Sequence, residues 1–176
     1  MTTHAKNASA EKTDVISLLT DDHKKVKKMF KDFEKMKGSG SDDELSALVE
    51  DICSELNLHA EAEEAIFYPA VREEITDINL VDEAEVEHAE LKELVSQLQS
   101  MSADDPKYKA TVKVLGEYVD HHVKEEEGEI FPRVKKAKMD TEALGEEIAN
   151  FKQMHGQPAP SARPARPSAG TGARKH

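Results

Sequence analysis

Residues 59–69 read HAEAEEAIFYP and residues 122–132 read HVKEEEGEIFP, and the two segments match position by position. Each begins with a histidine, has glutamates four and five residues later, then an apolar or aromatic pair, and ends in proline. Another histidine precedes each segment, His23 at 36 residues before His59 and His88 at 34 residues before His122. The chain therefore consists of two copies of one unit, in which a helix with a histidine is followed by a helix with His-x-x-x-Glu.

Apolar residues recur along both copies at alternating steps of three and four, which is the period of a helix that buries one face. Glycine and serine at 38–41 predict a break between helices, and Pro69 and Pro132 predict an end or a kink. Short connections favour an all-α fold, an antiparallel up-down four-helix bundle with a short extra C-terminal helix and disordered tails. The predicted helices cover residues 14–37, 41–68, 80–101, 105–131 and 141–155.

The domain organisation follows from the same pattern and from a change of composition near the C-terminus. The last stretch is rich in Pro, Ala and Arg and offers little to bury, which is typical of a disordered tail. We therefore expect a disordered leader at 1–13, the bundle domain at 14–136, a short helix within 137–155 and a disordered basic tail at 156–176.

Bulk composition narrows the classes of function. The net charge of −12 would repel phosphate backbones, so nucleic acid is not an expected ligand. The single cysteine, Cys53, is interpreted as a small buried residue, and one cysteine allows no disulfide within the chain. The polar N-terminus does not resemble a secretory signal, and no apolar run is long enough to span a membrane. We expect a cytoplasmic protein without membrane contact, and the sequence identifies no protein partner.

Polar residues interrupt the apolar seam of every long predicted helix. One buried histidine usually finds a hydrogen-bond partner, but four on separate helices, two of them with glutamate one turn later, favour a bound cation. Residues four apart lie above one another on a helix, so each His-x-x-x-Glu can offer a nitrogen and an oxygen to one site. This mixture of ligands suits zinc, iron or manganese. The candidate metal ligands are His23, His59, Glu63, His88, His122 and Glu126, with His121 as an alternative to His122 if the helix phase drifts.

The segments DDH at 21–23, EH at 87–88 and the two repeats from His59 and His122 resemble the hemerythrin HHE cation-binding family over residues 14–136. The resemblance implies a non-haem diiron centre inside a helical bundle. By this resemblance His23 and His59 serve one iron, His88 and His122 serve the other, and the carboxylates bridge the two ions together with an oxo or hydroxo group. The bridging carboxylates would be Glu63 and Glu126.

The sequence also departs from the oxygen-carrying members of that family. Those carriers have a further histidine one turn after the third-helix histidine, where this chain has Lys92, and an aspartate one residue later than Glu126. The missing ligand leaves a position open, or filled by water or by a nearby carboxylate, and this argues against reversible oxygen carriage. The candidates for that carboxylate are Glu55, Glu85 and Glu127.

Several functions stay open at this point. The favoured class is binding of a small diatomic ligand such as oxygen or nitric oxide, or the holding of iron. The alternative is a diiron enzyme that breaks down peroxide or oxidises small substrates. A ferritin-like site would need two Glu-x-x-His motifs, and only Glu85 to His88 provides one. A helical interaction protein whose histidines bind no metal is the remaining interpretation.

Overall fold

The computed structural model describes residues 14–76 and 79–156, and the predictions of a disordered leader and of a basic tail beyond Gly156 concern residues outside these ranges. Within them all regular structure is helical. Two short π-helical segments, Glu63–Phe67 and Glu126–Ile130, join α2 to α3 and α5 to α6 without a break. The α-helices are α1 (Val15–Met36), α2 (Asp42–Ala62), α3 (Tyr68–Glu74), α4 (Asn79–Ser100), α5 (Tyr108–Glu125), α6 (Phe131–Ala137) and α7 (Thr141–His155).

Local side chains explain where the helices begin. The Asp14 carboxylate accepts a hydrogen bond from the Ser17 amide at 2.9 Å and caps α1. Ser41 and Glu44 form a capping box before α2, in which each side chain accepts from the other residue's amide. The predicted start of a helix at Asp105 was wrong: the Asp105 side chain accepts from the amide of Lys107, which holds a turn, and α5 begins at Tyr108.

The helices continue through both prolines, so of the two outcomes predicted at Pro69, an end or a kink, the end was wrong. In each π segment the backbone donors reach one residue further back, as from Tyr68 to the carbonyl of Glu63 and from Phe131 to that of Glu126. The next residue is proline, which has no donor to lose, so the change of register coincides with the missing amide. The helix after Pro69 therefore extends to Glu74.

Four helices close a ring of contacts around the core. Helix α1 packs against α2 and α5, and α4 packs against the same two helices. Helix α7 lies on the outside, against α1, α2 and the first π segment. The apolar core falls into two clusters, one containing Phe33, Ile52 and Leu115 and the other containing Leu19, Phe67 and Ile148.

A layer of buried polar side chains belongs to neither apolar cluster, and this layer is where the predicted ligands meet. No helix in the described ranges is long and apolar enough to cross a membrane.

Candidate metal centre

The six predicted ligands all lie inside the protein. Their side chains come from α1, α2, α4, α5 and the first residue of each π segment. They are also the buried polar or charged residues of the described chain, and none is more than 7% exposed. The structure brings together His23, His59, Glu63, His88, His122 and Glu126.

The imidazoles form two pairs with their Nε2 atoms facing each other. The two Nε2 atoms are 3.2 Å apart in the pair of His23 and His59. They are 3.1 Å apart in the pair of His88 and His122. Each pair joins the histidine of one helix to that of the next helix within the same sequence repeat, as the two-copy pattern predicts.

The two carboxylates each face both pairs. Oε2 of Glu63 lies 3.2 Å from Nε2 of His59 and 3.4 Å from Nε2 of His88. Oε2 of Glu126 lies 3.3 Å from Nε2 of His23 and 3.7 Å from Nε2 of His122. Both carboxylates therefore lie between the histidine pairs, where an oxygen can contact ions held by either pair.

Three carboxylate oxygens at this centre have no hydrogen-bond donor within the described residues: both oxygens of Glu63 and Oε2 of Glu126. A buried carboxylate oxygen without a donor is costly, and a cation would relieve that cost. The possible ligand atoms also lie within 4.8 Å of one another in two overlapping sets. The sets are His23, His59, Glu63 and Glu126, and Glu63, His88 and His122. The donor chemistry and the orphaned oxygens fit a transition-metal dication.

The electrostatics of the metal-free cluster lead to the same conclusion. Burial, together with the nearby negative charge of Glu126, raises the pKa of Glu63 well above its usual range. Burial acts in the same direction on Glu126, but contact with His23 and the charge of His122 hold its pKa below the usual value. Burial and the charge of Glu126 therefore favour the neutral form of Glu63, and contact with His23 favours the charged form of Glu126, because two buried negative charges this close repel each other. Bound cations would let both ionise.

Burial also keeps one imidazole of each pair in the form that binds metal. It lowers the pKa of His59 to about 4, although a hydrogen bond to Asp22 opposes the shift. Burial likewise lowers the pKa of His88, against the charge of Glu126. Neutral imidazole is the ligand form, so these two side chains need lose no proton near neutral pH.

Each histidine contacts a further carboxylate through its other ring nitrogen, Nδ1. Hydrogen bonds of this kind fix the ring so that the Nε2 lone pair faces the metal, and they raise its basicity. We call these four residues the outer carboxylates. The Nδ1 contacts are Glu127 to His23 at 2.9 Å, Asp22 to His59 at 3.2 Å, Glu64 to His88 at 3.1 Å and Glu87 to His122 at 2.7 Å.

The sequence contains a signal for the outer carboxylates that the prediction did not use. Asp22 and Glu87 each precede the histidine of their own helix and contact the histidine of the next helix in the same repeat. Glu64 and Glu127 each follow a central glutamate and contact the histidine pair of the other repeat. An acidic neighbour beside a predicted ligand, at the same place in both repeats, would have identified all four.

The predicted replacements for the missing histidine do not face the Nε2 atoms. Glu55 pairs with Lys25 at 2.5 Å, Glu85 pairs with Arg72 at 2.9 Å, and Glu127 contacts the outer nitrogen of His23. Lys92 is also directed outward, because its Nζ lies 2.6 Å from Oε2 of Glu64.

The helix register selects His122 over its neighbour. The side chain of His121 is 62% exposed, whereas that of His122 is 4% exposed. The alternative in which His121 replaces His122 in the cluster is therefore excluded by the fold.

Tyr68 is a further residue of this site that the sequence prediction missed. Its buried hydroxyl donates to Oε1 of Glu126 at 3.0 Å and lies 3.3 Å from Nε2 of His88. Burial and the two central carboxylates raise its pKa well above the usual range, so the phenol keeps its proton. The corresponding position of the second repeat is Phe131, which stacks on His23 at a centroid distance of 5.9 Å. The signal for Tyr68 in the sequence is the difference between tyrosine and phenylalanine at matching positions of the two repeats.

A small cavity adjoins the cluster on its apolar side. Its volume is about 10 Å³, close to the space of one water molecule. The four histidines and Asp22 contribute to its lining, and the remaining lining residues are apolar. The apolar lining is Val26, Leu56, Ala60, Leu91, Val119 and Val123.

Comparison with known proteins identifies the class to which this fold and site belong. Residues 14–157 match the model of the hemerythrin HHE cation-binding domain, so the chain belongs to the hemerythrin HHE cation-binding family. This confirms the resemblance seen in the sequence, and the match also includes α7. The domain is one that binds metal cations, typically iron.

One solved structure and one curated relative are similar to the chain. The crystal structure of a hemerythrin HHE cation-binding domain-containing protein from Mycobacterium kansasii superposes with a TM-score of 0.67 at 23% identity, covering 81% of this chain and 88% of that one. A DNA nickase of Nostoc sp. (strain PCC 7120 / SAG 25.82 / UTEX 2576) is 31% identical over 114 residues. That alignment covers 65% of this chain but only 31% of the nickase, so the chain spans less than a third of that relative.

Proposed function

We propose that this chain holds two non-haem iron ions at the buried cluster and uses them to bind or react with small molecules such as oxygen or nitric oxide, or to hold iron. The single observation that carries the proposal is the set of orphaned oxygens of Glu63 and Glu126 facing four Nε2 atoms. His23 and His59 would hold one ion, His88 and His122 the other, and the two carboxylates would bridge them. We take the surrounding helices to be an antiparallel up-down bundle over residues 14–136.

Iron at this cluster would supply a redox-active Lewis acid with which a small ligand can exchange. The protein's own contribution is to fix the ligands and to shape the space beside them. The outer carboxylates hold each imidazole with Nε2 facing inward, and the small cavity beside the histidines provides space for about one water-sized molecule next to apolar side chains. The hydroxyl of Tyr68 fixes Glu126 through its Oε1, which leaves Oε2 for the ions.

A diiron enzyme that breaks down peroxide is the second candidate, and Tyr68 is the observation that favours it. Its hydroxyl keeps a proton inside the cluster, within 3.3 Å of Nε2 of His88. Protonation of a reacting oxygen species needs such a donor, and a purely iron-holding site does not. Reversible oxygen carriage is not proposed, because Lys92 pairs with Glu64 and offers no further nitrogen ligand.

The cellular compartment of the protein and the absence of a nucleic-acid ligand are part of the proposal as well. Cys53 is buried and unpaired, which is compatible with the cytoplasm. Nicking of DNA is described for the relative from Nostoc and is not extended to this chain, since the net charge of −12 disfavours contact with phosphate backbones.

Metal analysis with an optical spectrum tests the proposal. Protein expressed in iron-replete medium should carry about two irons per chain, because each histidine pair with a shared carboxylate supplies ligands for one ion. Aerobic protein should absorb in the near ultraviolet. Glu126→Ala should lose iron, and His155→Ala, which changes an exposed histidine of α7, should keep it.

The controls separate folding from binding. Far-ultraviolet circular dichroism should show that Glu126→Ala stays helical, since alanine favours a helix. Fewer than about one metal per four chains after reconstitution with ferrous iron under reducing conditions would contradict the diiron proposal. A value near one would instead indicate a mononuclear site. The reduced protein is then mixed with nitric oxide or with peroxide. Binding of nitric oxide without breakdown of peroxide supports the binding function, and breakdown of peroxide supports the enzyme.

A further inference from the structure

A second group of metal-ligating side chains lies on the surface between α4 and α5. Nε2 of His121 is 3.3 Å from Oε1 of Glu87 and 3.3 Å from Oε1 of Glu125. The candidate ligand atoms of these three side chains lie within 4.8 Å of one another. His121 and Glu125 are four apart on α5, which is the same His-x-x-x-Glu spacing that the buried cluster uses. We call this group the surface triad.

The surroundings of the surface triad attract cations and leave it open to solvent. It lines a shallow depression whose other residues are Asp82, Glu83 and Val86. Asp82 is paired with Arg72, but no lysine or arginine lines the depression itself. The side chain of His121 is 62% exposed and that of Glu125 is 39% exposed, so an ion can reach both without any movement of the backbone. Carboxylates clustered around one imidazole raise the local concentration of cations.

Glu87 connects the surface triad to the buried cluster. Its Oε1 faces His121, while its Oε2 accepts a hydrogen bond from Nδ1 of His122 at 2.7 Å. One carboxylate therefore contacts both an exposed imidazole and an imidazole whose Nε2 faces the buried centre. The side chain of Glu87 is itself 18% exposed, so it lies at the boundary between solvent and core.

The other half of the molecule has no equivalent group. The positions that correspond to His121 and Glu125 in the first repeat are Leu58 and Ala62, which offer no ligand atoms. There the counterpart of Glu87 is Asp22, and its charge is met by Lys152 from α7. The first half thus pairs its outer carboxylate with the ammonium group of Lys152, whereas the second half places an exposed imidazole beside the matching carboxylate.

We propose that Glu87, His121 and Glu125 form a separate surface site for a transition-metal dication. One nitrogen and two carboxylate oxygens match the preferences of zinc, manganese and ferrous iron, and disfavour calcium and magnesium, which prefer oxygen alone. We assign the surface site a second role, which rests on the diiron function proposed above: it delivers ions to the buried cluster. The ion would move from His121 along Glu87 to the side of His122.

Equilibrium dialysis of the full chain against zinc, which has no redox chemistry, tests the surface site alone. The central-carboxylate variant, in which Glu63→Gln and Glu126→Gln are combined with His59→Gln and His88→Gln so that no histidine pair remains, should still bind about one zinc ion per chain. Adding His121→Gln or Glu125→Gln should abolish that binding. His155→Gln and Glu129→Gln are the matched controls, since each changes an exposed side chain of the same type outside the triad, and both should keep the zinc.

Each outcome of the dialysis experiment decides a different question. Absence of zinc from the central-carboxylate variant, or zinc that His121→Gln does not remove, overturns the surface site and leaves His121 as an ion-pair partner only. Equal zinc binding by the unmodified chain and the central-carboxylate variant leaves the surface site standing and counts against the buried centre. Should the central-carboxylate variant fail to fold, the unmodified chain must bind about one zinc more than His121→Gln, or the proposal is wrong.

The delivery role is tested by the rate at which the buried cluster fills. Cobalt mixed with metal-free protein can be followed by its visible absorption, with His121→Gln compared against His155→Gln. We expect His121→Gln to fill several-fold more slowly and to reach the same final absorbance from the buried centre. Equal rates in both variants would overturn delivery through the surface triad.

Discussion

The two halves of the buried centre have the same ligands but different surroundings. Each half contributes a pair of histidines facing through Nε2, at 3.2 Å in the first and 3.1 Å in the second. Each imidazole has its own outer carboxylate, and the four carboxylates follow the same crossed pattern in both repeats. The repeat therefore preserves the same candidate ligands and the same outer carboxylates in both halves.

The halves differ in the groups that touch those ligands. Tyr68 brings a hydroxyl to His88, whereas Phe131 stacks an apolar ring on His23. Helix α7 covers the first half and sends Lys152 to Asp22, whereas the matching carboxylate of the second half faces the exposed His121. The comparison teaches that the candidate ligands are symmetric, whereas the tyrosine hydroxyl and the exposed imidazole both lie beside the pair of His88 and His122.

The largest effect on metal content should come from removing one imidazole from one half of the buried centre at a time. His59→Ala and His122→Ala each remove one imidazole from a different pair, so each variant should retain about one metal per chain if the halves bind separately. Chelation of the unmodified protein should lower its melting temperature, since an ion at about 100 times its dissociation constant stabilises the fold by about 2.7 kcal/mol. Metal analysis and thermal melts of the three proteins provide the measurement.

The expectation that the two halves bind metal separately can be contradicted directly. Loss of both metals in either variant would mean that the halves bind as one cooperative unit through Glu63 and Glu126. Unchanged metal in His122→Ala, with loss in His121→Ala, would contradict the register of α5. His4→Ala lies outside the described residues and is the neutral control for sample handling.

The sequence was sufficient to predict that the six central residues lie together inside the protein. Their positions follow helical periodicity up to the start of each π segment. His59 and Glu63 are separated by one ordinary helical turn, so both fall on the buried seam. The family also follows from the doubled motif, which the match over residues 14–157 confirms. The positions of the helices were predicted to within a few residues, except near Pro69 and Asp105.

Tyr68 could not be placed from periodicity, and the reason is the π segment that precedes it. At about 100° per residue, a position nine residues after His59 falls on about the opposite face of a straight α-helix. The π segment Glu63–Phe67 adds one residue to the turn and rotates the next helix, α3, by about the same 100°. That rotation brings the hydroxyl of Tyr68 to Glu126. No pattern of apolar residues in the sequence predicts the rotation.

A second and smaller effect should separate the two central carboxylates in metal-free protein. Burial raises the pKa of Glu63 there and so favours its neutral form, which glutamine resembles, and Glu63→Gln should keep or increase the melting temperature. Glu126 is charged, accepts from Tyr68 and contacts His23, so Glu126→Gln should cost about 1–3 kcal/mol. Urea unfolding of both variants in the presence of a chelator measures the difference. Equal destabilisation by the two variants would show that the metal-free cluster does not distinguish its carboxylates.

The smallest effect on stability, and the sharpest on chemistry, should come from exchanging the two aromatic residues. Tyr68→Phe makes the halves alike by removing the hydroxyl that donates to Oε1 of Glu126 at 3.0 Å. The fold should lose about 0.5–1.5 kcal/mol, the net value of one hydrogen bond, and the metal content should stay the same. If the hydroxyl supplies a proton, peroxide breakdown by the iron-loaded protein should fall, while nitric oxide binding to the reduced protein should not. The mirror variant Phe131→Tyr adds a hydroxyl beside His23. Combined with Tyr68→Phe, it should not restore the lost rate of peroxide breakdown, because the residues around position 131 differ from those around position 68. A Tyr68→Phe protein that breaks down peroxide at the original rate would remove the one observation that favours the enzyme over the binding protein.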